Sequence, residues 1–277
     1  MRRRFLFSIL AIFLFDAAKS QQLIVGSFNI RYDNPGDTGN LWVNRSTVCA
    51  SLIRFHGFDI LGTQEGLKHQ LDDLQKQLPE YEHFGIGRDD GGSKGEHSAI
   101  LIRRERFKVL DKGDFWLSET PEKPGPGWDA NLNRICSWLK LQDKKLKRTY
   151  YIFNVHYDHQ GVKARVESSK LILQKIRTIA GDKEVILTGD FNGNHQSEWY
   201  LEIEKSENLK DVLFQTSNAY RNTGSFNAFK QNNPSKDVID HIFVSKGFKV
   251  KRYGILTDTY HGKYPSDHYP VLAELAL

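Results

Sequence analysis

Cysteine is almost absent from the 277 residues: only Cys49 and Cys136 occur. Two thiols are too few for a disulfide framework, and their separation does not match a zinc finger. Cys49 falls in an apolar helical pattern and Cys136 in an apolar strand. Both read as buried thiols, although an oxidising compartment would permit one bridge between them. A strong excess of one charge is also missing. The chain carries 39 Lys and Arg against 34 Asp and Glu; residues 1–20 hold four of the bases (Arg2, Arg3, Arg4, Lys19) and one acid (Asp16), leaving 35 against 33. A net +2 argues against strong nonspecific attraction to nucleic acid, and the pI near 9.0 overstates the basicity of the body of the chain.

Long hydrophobic runs are lacking as well. The uncharged, mostly apolar stretch Phe5–Phe15 spans eleven residues, well short of the roughly 20 that a membrane-spanning helix needs. Three arginines precede it and the small residues of "AKS" stand before Gln21, so residues 1–20 read as a cleaved secretory signal peptide. The expected destination is outside the cell or the periplasm. "RRRFL" also resembles a twin-arginine signal. No cysteine follows the apolar run, so a lipoprotein anchor is not indicated, and the shortness of the run leaves no stable membrane anchor expected. Residues 21–277 contain no Pro/Ser-rich linker, low-complexity tract or internal repeat, and the expectation is one domain.

What is present is a succession of short, strand-like apolar segments. They lie near 23–30, 59–63, 81–87, 98–103, 107–117, 134–141, 149–156, 184–189, 238–245, 248–256 and 269–276. Helical spacing appears near 43–55, 67–78, 163–180 and 196–205. Many strands with few helices, some strands following one another as hairpins, favour an α/β layered sandwich over a regular doubly wound sheet. The loops 88–97, 118–133 and 257–267 are long enough to be binding elements.

Polar residues interrupt this apolar pattern at strand ends. "LIVGSFNI" closes with Asn29, "DILGTQE" with Gln64 and Glu65, "YYIFNVHYDH" delivers Asn154, His156 and Asp158, "EVILTGDFNGN" breaks into Asp190 and Asn192, and "SDHYPVL" opens a strand with Asp267 and His268. Taken singly, Asn29 is a strand-end hydrogen bonder, Glu65 a charge opening the next helix, Asp267 a turn residue and His156 a packed strand histidine. "KDVIDHIFVS" is harder to read that way. Alternation puts Val238, Asp240, Ile242 and Val244 on one face, so a carboxylate lies within an apolar row. Such a group either neutralises or recruits a cation or a hydrogen-bond donor, and a histidine oriented by a buried Asp is a familiar pairing. Carboxylates and amides without a thiolate set are hard donors, suited to Mg²⁺, Mn²⁺ or Ca²⁺. With imidazoles beside them they equip a site for displacement at phosphorus: a metal offsets phosphoryl charge, a carboxylate activates water, and an imidazole stabilises the charge that develops.

The segments "SFNIR", "TQE", "FNVH", "LTGDFN", "IDHIFVS" and "SDHYPV" occur in the order seen in the endonuclease/exonuclease/phosphatase superfamily. From about residue 23 to 275 the chain resembles these DNase I-like metallohydrolases, in their secreted bacterial form. The resemblance implies a four-layered α/β/β/α sandwich and a Mg²⁺- or Mn²⁺-dependent phosphoesterase. It makes Glu65 a metal ligand, Asn29 the residue that positions the metal or its water, and Asp267 part of that network. Asp190 would align or deprotonate the attacking water and Asn192 hold it or a phosphate oxygen. His156 would contact the scissile phosphate, and His268, oriented by Asp240, would stabilise the transition state. Position and charge add Arg134 and Arg165 as candidates for holding the substrate phosphate, and Asp158 and His159 as residues that face substrate or cap a loop.

The superfamily chemistry does not choose a substrate. The first expectation is phosphodiester cleavage, an extracellular nuclease included; the alternative is a phosphomonoesterase for sugar, inositol or lipid phosphates, and a non-catalytic binding protein on the same fold is a third. The basic segment "QDKKLKRTYY" reads as a solvated hairpin turn. Trp116, Trp128, Tyr260 and Tyr264 lie near the presumed substrate loops and either stack on a base or sugar or pin those loops. No protein partner is indicated and a monomer is expected.

Overall fold

Two mixed sheets pack face to face, each covered on its outer side by helices. The computed structural model describes residues 22–230 and 235–276; the leader expected at 1–20 lies outside the described residues. The first sheet comprises β1 (Gln22–Asn29), β2 (Ile60–Gln64), β3 (Tyr81–Phe84), β4 (Ile100–Arg103), β10 (Ala219–Tyr220), β12 (Lys249–Ile255) and β13 (Val271–Ala276), in the order β10-β12-β13-β1-β2-β4-β3. The second comprises β5 (Phe107–Trp116), β6 (Ile135–Asp143), β7 (Thr149–His156), β8 (Val185–Asp190), β9 (Leu209–Asp211) and β11 (Asp240–Ser245), in the order β5-β6-β7-β8-β11-β9. Helices α1 (Trp42–His56) and α2 (Lys68–Gln77) cover the first sheet; α3 (Val162–Ala180) and α4 (Glu198–Glu204) cover the second. This is the expected α/β/β/α sandwich. No helix among the described residues is long and apolar enough to cross a membrane.

Burial on both faces explains the near-continuous apolar runs of the central strands. In β8, Ile186 enters the core between the sheets with Val25, Ile60, Ile152 and Ile242, while Val185 and Leu187 pack under α3 and α4 with Ile172, Ile176 and Tyr200. Cys49 joins the cluster under α1 and Cys136 the cluster under α3, on opposite outer faces of the sandwich. Both thiols are buried and free, so the bridge that the sequence leaves open does not form. The strands β9 and β10, three and two residues long, carry too few residues to show an alternation and have no counterpart in the sequence reading.

The polar positions of the central strands bring the sheets close. Asn154 donates to the carbonyls of Thr63 and Ala99, and its side-chain oxygen accepts from Gln64 (2.8 Å) and Thr188 (3.0 Å). A Cβ on Gly62 would overlap Thr188 Oγ1 and Asn154 Oδ1. Gly62→Ala is therefore expected to destabilise the protein by about 1–3 kcal/mol through overpacking, read as a lower urea midpoint at unchanged slope. At the opposite end, Arg106 joins the sheets by pairing with Asp59 before β2 (2.8 Å) and with the fully buried Asp143 ending β6 (2.9 Å).

Candidate active site

Register alone assembles half of the site. Parallel pairing sets His156 of β7 beside Asp190 of β8, and antiparallel pairing sets Asp190 beside Asp240 of β11. In the other sheet, β1 and β2 run parallel with Asn29 opposite Gln64, so Asn29 and Glu65 leave the same edge. β13 runs antiparallel to β1, which returns Asp267 and His268 to that edge just before the strand begins. The two sheets thus deliver their polar ends to one cleft of about 420 Å³, lined among others by Glu65, Arg134, His156, Asp190, Asn192, Asp267 and His268.

The side chains form two linked groups. The Asn29 amide donates to Glu65 Oε1 and to Asp190 Oδ2, both at 3.0 Å, so one fully buried amide joins the two sheets. Glu65 Oε2 accepts from the Tyr32 amide (3.1 Å) and lies 3.7 Å from Arg31, whose guanidinium also faces Asp267 at 3.6 Å. Asp190 Oδ1 accepts from the Asn192 amide (2.9 Å), and the Asn192 side chain donates to the Tyr157 carbonyl (3.0 Å). In the second group, His268 Nδ1 meets Asp240 at 2.9 Å and its Nε2 faces Asp190 at 3.7 Å. His156 Nε2 approaches Asp190 from the other side at 3.6 Å. Asp190 is the hub.

Backbone strain accompanies this arrangement. Arg31, Glu65 and Asn192 hold φ of 56°, 64° and 47°, a left-handed conformation that costs a non-glycine residue about 1–3 kcal/mol. Each of these residues either contributes to the cleft or shapes its wall.

The two histidines are held in opposite states. Burial pushes the His156 imidazole down to about 3, and the nearby Arg134 charge adds to that, so it is neutral at ordinary pH. Burial also opposes charge on His268, but Asp240 and Asp190 outweigh it and hold the imidazole well above its usual range. An imidazolium and a neutral imidazole thus flank one carboxylate.

The residues fit a divalent cation. Asp190, Asp240 and His268 offer ligand atoms within 4.8 Å of one another, but Asp240 Oδ2 and His268 Nδ1 are engaged with each other at 2.9 Å, and the oxygen-rich side of the cleft offers the other place for an ion. There Glu65 and Asp267 stand close enough to share Arg31, and burial together with the charge of Glu65 raises the Asp267 carboxyl, despite His268 and Arg31 opposing it. Two carboxylates share one guanidinium that is itself paired with Asp37 at 2.8 Å, so the group keeps an excess of negative charge on hard oxygen donors, which a dication offsets. Glu65, Asp267 and the Asn29 position would hold it.

The other sequence candidates divide. Arg134 lines the cleft, held by Asp158 (3.4 Å) and His159 (3.0 Å), while its buried Nη1 has no hydrogen-bond partner. His159 lines the cleft too; Asp158 instead caps the loop that precedes α3, accepting from the Gln160 and Gly161 amides. Arg165 is a correction. It stacks on Trp199 at 4.1 Å and donates to the Asp158 carbonyl, so it supports the loop behind Arg134 rather than lining the cleft. Of the two roles open to the loop aromatics, Trp116 takes the pinning one, holding the 88–97 loop through the Arg88 carbonyl, and Tyr264 packs on Tyr269, whereas Tyr32 and Phe226 line the cleft. Sequence reasoning missed Arg31 and Glu96. Arg31 stands in "SFNIR", two residues after Asn29, where its charge was a usable signal. Glu96, 3.7 Å from His156 Nδ1 and paired bidentately with Arg88 at 2.6 and 2.7 Å, comes from a loop without periodicity and had no such signal.

A model of the endonuclease/exonuclease/phosphatase family matches residues 26–268, and the chain belongs to that family of phosphoester hydrolases. It is similar to the structure of a mannosyl-6-phosphatase from Bacteroides thetaiotaomicron, with 45% identity and a TM-score of 0.90, covering 92% of this chain and 100% of the other. A family structure from Bacteroides vulgatus is 37% identical with a TM-score of 0.89, over 92% of this chain and 99% of that one. A phospholipase C of Staphylococcus aureus is 24% identical over 236 residues, 73% of this chain and 70% of its own.

Proposed function

We propose that the protein is an exported, Mg²⁺- or Mn²⁺-dependent phosphomonoesterase acting on phosphorylated sugars. The likeness to a mannosyl-6-phosphatase along nearly the whole chain carries this reading. The surface supports it: the basic turn Lys144–Arg148 precedes β7, whose far end carries His156. Eight residue steps separate Arg148 from His156, about 26 Å along the strand, so that cluster provides no cationic track into the cleft for a polynucleotide. The motifs alone put diester cleavage first; these observations favour the reverse order. The phospholipase C relative keeps diester cleavage as the second reading.

In this reading Asp190, fixed by the Asn29 and Asn192 donors, takes a proton from the attacking water as the water oxygen bonds to phosphorus. The bond from phosphorus to the sugar oxygen breaks, and the departing oxygen takes a proton from solvent and leaves as the free sugar hydroxyl. The His268 imidazolium donates to a phosphoryl oxygen as charge accumulates, and the Arg134 guanidinium, which lines the cleft, donates to another. Neutral His156 contacts the scissile phosphate. A divalent ion held at Glu65 would supply neutralisation of phosphoryl charge.

The test uses residues 21–277 with Mg²⁺ or Mn²⁺ and compares phosphate release from mannose 6-phosphate and p-nitrophenyl phosphate with cleavage of bis(p-nitrophenyl) phosphate and plasmid DNA. Monoester kcat/KM should exceed diester kcat/KM by at least about tenfold, equivalent to roughly 1.4 kcal/mol. A diester preference overturns the proposal. Export predicts that protein recovered outside the cytoplasm begins at Gln21, read by N-terminal sequencing. For the ion, Mg²⁺ should raise the Tm of the wild type, because a ligand of the folded state stabilises it by mass action. Glu65→Gln should move that Tm response to about tenfold higher Mg²⁺, a loss of roughly 1.4 kcal/mol of binding; an unchanged titration removes Glu65 from the ligand set.

A further inference from the structure

Behind the catalytic edge, on the face of β11 turned toward α4, His241 is buried between two acceptors. Its Nδ1 lies 2.9 Å from Asp211 Oδ2 and its Nε2 lies 3.0 Å from the Gly193 carbonyl oxygen. A carboxylate and a carbonyl accept and do not donate, so satisfying both requires hydrogen on both ring nitrogens. The ring is an imidazolium, and Asp211 supplies its counter-charge. Asp211 is itself fully used, taking the Tyr200 hydroxyl at 3.1 Å and the Leu213 amide at 2.9 Å.

The carbonyl that His241 grips belongs to the turn that presents the reacting groups. Asp190 ends β8, Asn192 holds its left-handed conformation two residues later, and Gly193 follows. Two side chains hold this turn from behind. Trp199 Nε1 donates to the Phe191 carbonyl at 2.9 Å, and His241 donates to that of Gly193. Gly193 has no room for a side chain, since a Cβ there would overlap the Trp199 indole. The Asn192 amide between these anchors points instead to Asp190.

We infer that His241 is a positioning residue for hydrolysis: a buried imidazolium strut that, through the Gly193 carbonyl, sets the turn that aims Asp190 and Asn192 at water and phosphate. The inference rests on the phosphoesterase reading of those two residues. It assigns a task to the one histidine of "IDHIFVS" that never reaches the cleft.

Two near-isosteric replacements separate positioning from packing. In His241→Gln the amide nitrogen takes the place of Nε2 and keeps the donor to Gly193; in His241→Asn it takes the place of Nδ1 and keeps only the donor to Asp211. With p-nitrophenyl phosphate as probe, His241→Asn should lose about 10²-fold in kcat at little changed KM, the scale of an ångström-level misplacement. His241→Gln should stay within about tenfold of the wild type, although both variants lose thermal stability. Equal losses in the two variants, or none in either, overturn the strut while wild-type turnover keeps the functional reading. Absence of wild-type turnover overturns both. Should a variant fail to fold, ¹⁵N spectra of wild-type protein decide: both His241 ring nitrogens protonated near neutral pH is expected, and a neutral ring with one hydrogen overturns the inference.

Discussion

Asp190→Ala should lower kcat by about 10⁴, the upper end of what a positioned general base supplies, while leaving the circular dichroism spectrum and the urea midpoint close to wild type. The magnitude follows from the position of Asp190 as hub: it takes the Asn29 and Asn192 donors and stands between His156 and His268. Removing it deletes the proton acceptor of the proposed mechanism and releases both imidazoles from their shared carboxylate. The fold should survive because Asp190, although buried, ends β8 at the wall of the cleft, after Ile186 and Leu187, which supply the apolar burial of the strand. A folded variant that keeps more than about a tenth of wild-type kcat, a difference of only about 1.4 kcal/mol in barrier, would remove Asp190 from the mechanism.

His268→Ala should cost about 10³ in kcat, the scale of losing a preorganised donor to a developing oxyanion. Asp240→Asn should come close to the same loss. Asp240 is fully buried, 2.9 Å from His268 Nδ1, and is one of the two carboxylates that hold the imidazole charged against the penalty of burial. A neutral amide keeps the contact but not the support for charge. The two substitutions act on one unit, so the double variant should be little worse than either single one. Additive losses, measured as kcat of the three proteins, would mean that Asp240 acts by some other route.

The fold was legible because its strands advertise themselves. β7 and β8 are short, β-branched and aromatic, buried on both faces, and each ends where a polar residue breaks the run; the sequence ranges for all longer strands fall within a few residues of those observed. Asp240 was readable for a related reason. A carboxylate in phase with Val238, Ile242 and Val244 must enter the interior, and its partner is the histidine that the reasoning required. What escaped detection lacks such phase. Glu96 comes from a glycine-rich loop and reaches His156 only after the chain folds back over the cleft. Arg165 misled because a guanidinium near a loop carries the same letter whether it meets phosphate or, as here, an indole.

The sequence by itself determined the layered α/β class, the polar strand ends and the hard-donor, imidazole-bearing chemistry, because periodicity and residue type are local properties that folding does not alter. The tertiary structure alone decided which polar ends meet. Parallel pairing of β7 with β8 and antiparallel pairing of β11 set three residues side by side, and the close approach of the sheets at Gly62 lets Asn29 span from Glu65 to Asp190. It also decided the charge of each histidine. His156, His241 and His268 are alike in sequence, but the first is lowered chiefly by burial with an arginine adding to it, the second lies between a carboxylate and a carbonyl, and the third is raised by two carboxylates that outweigh its burial. Proton affinity is set by the surrounding field, and that field exists only once the chain is folded.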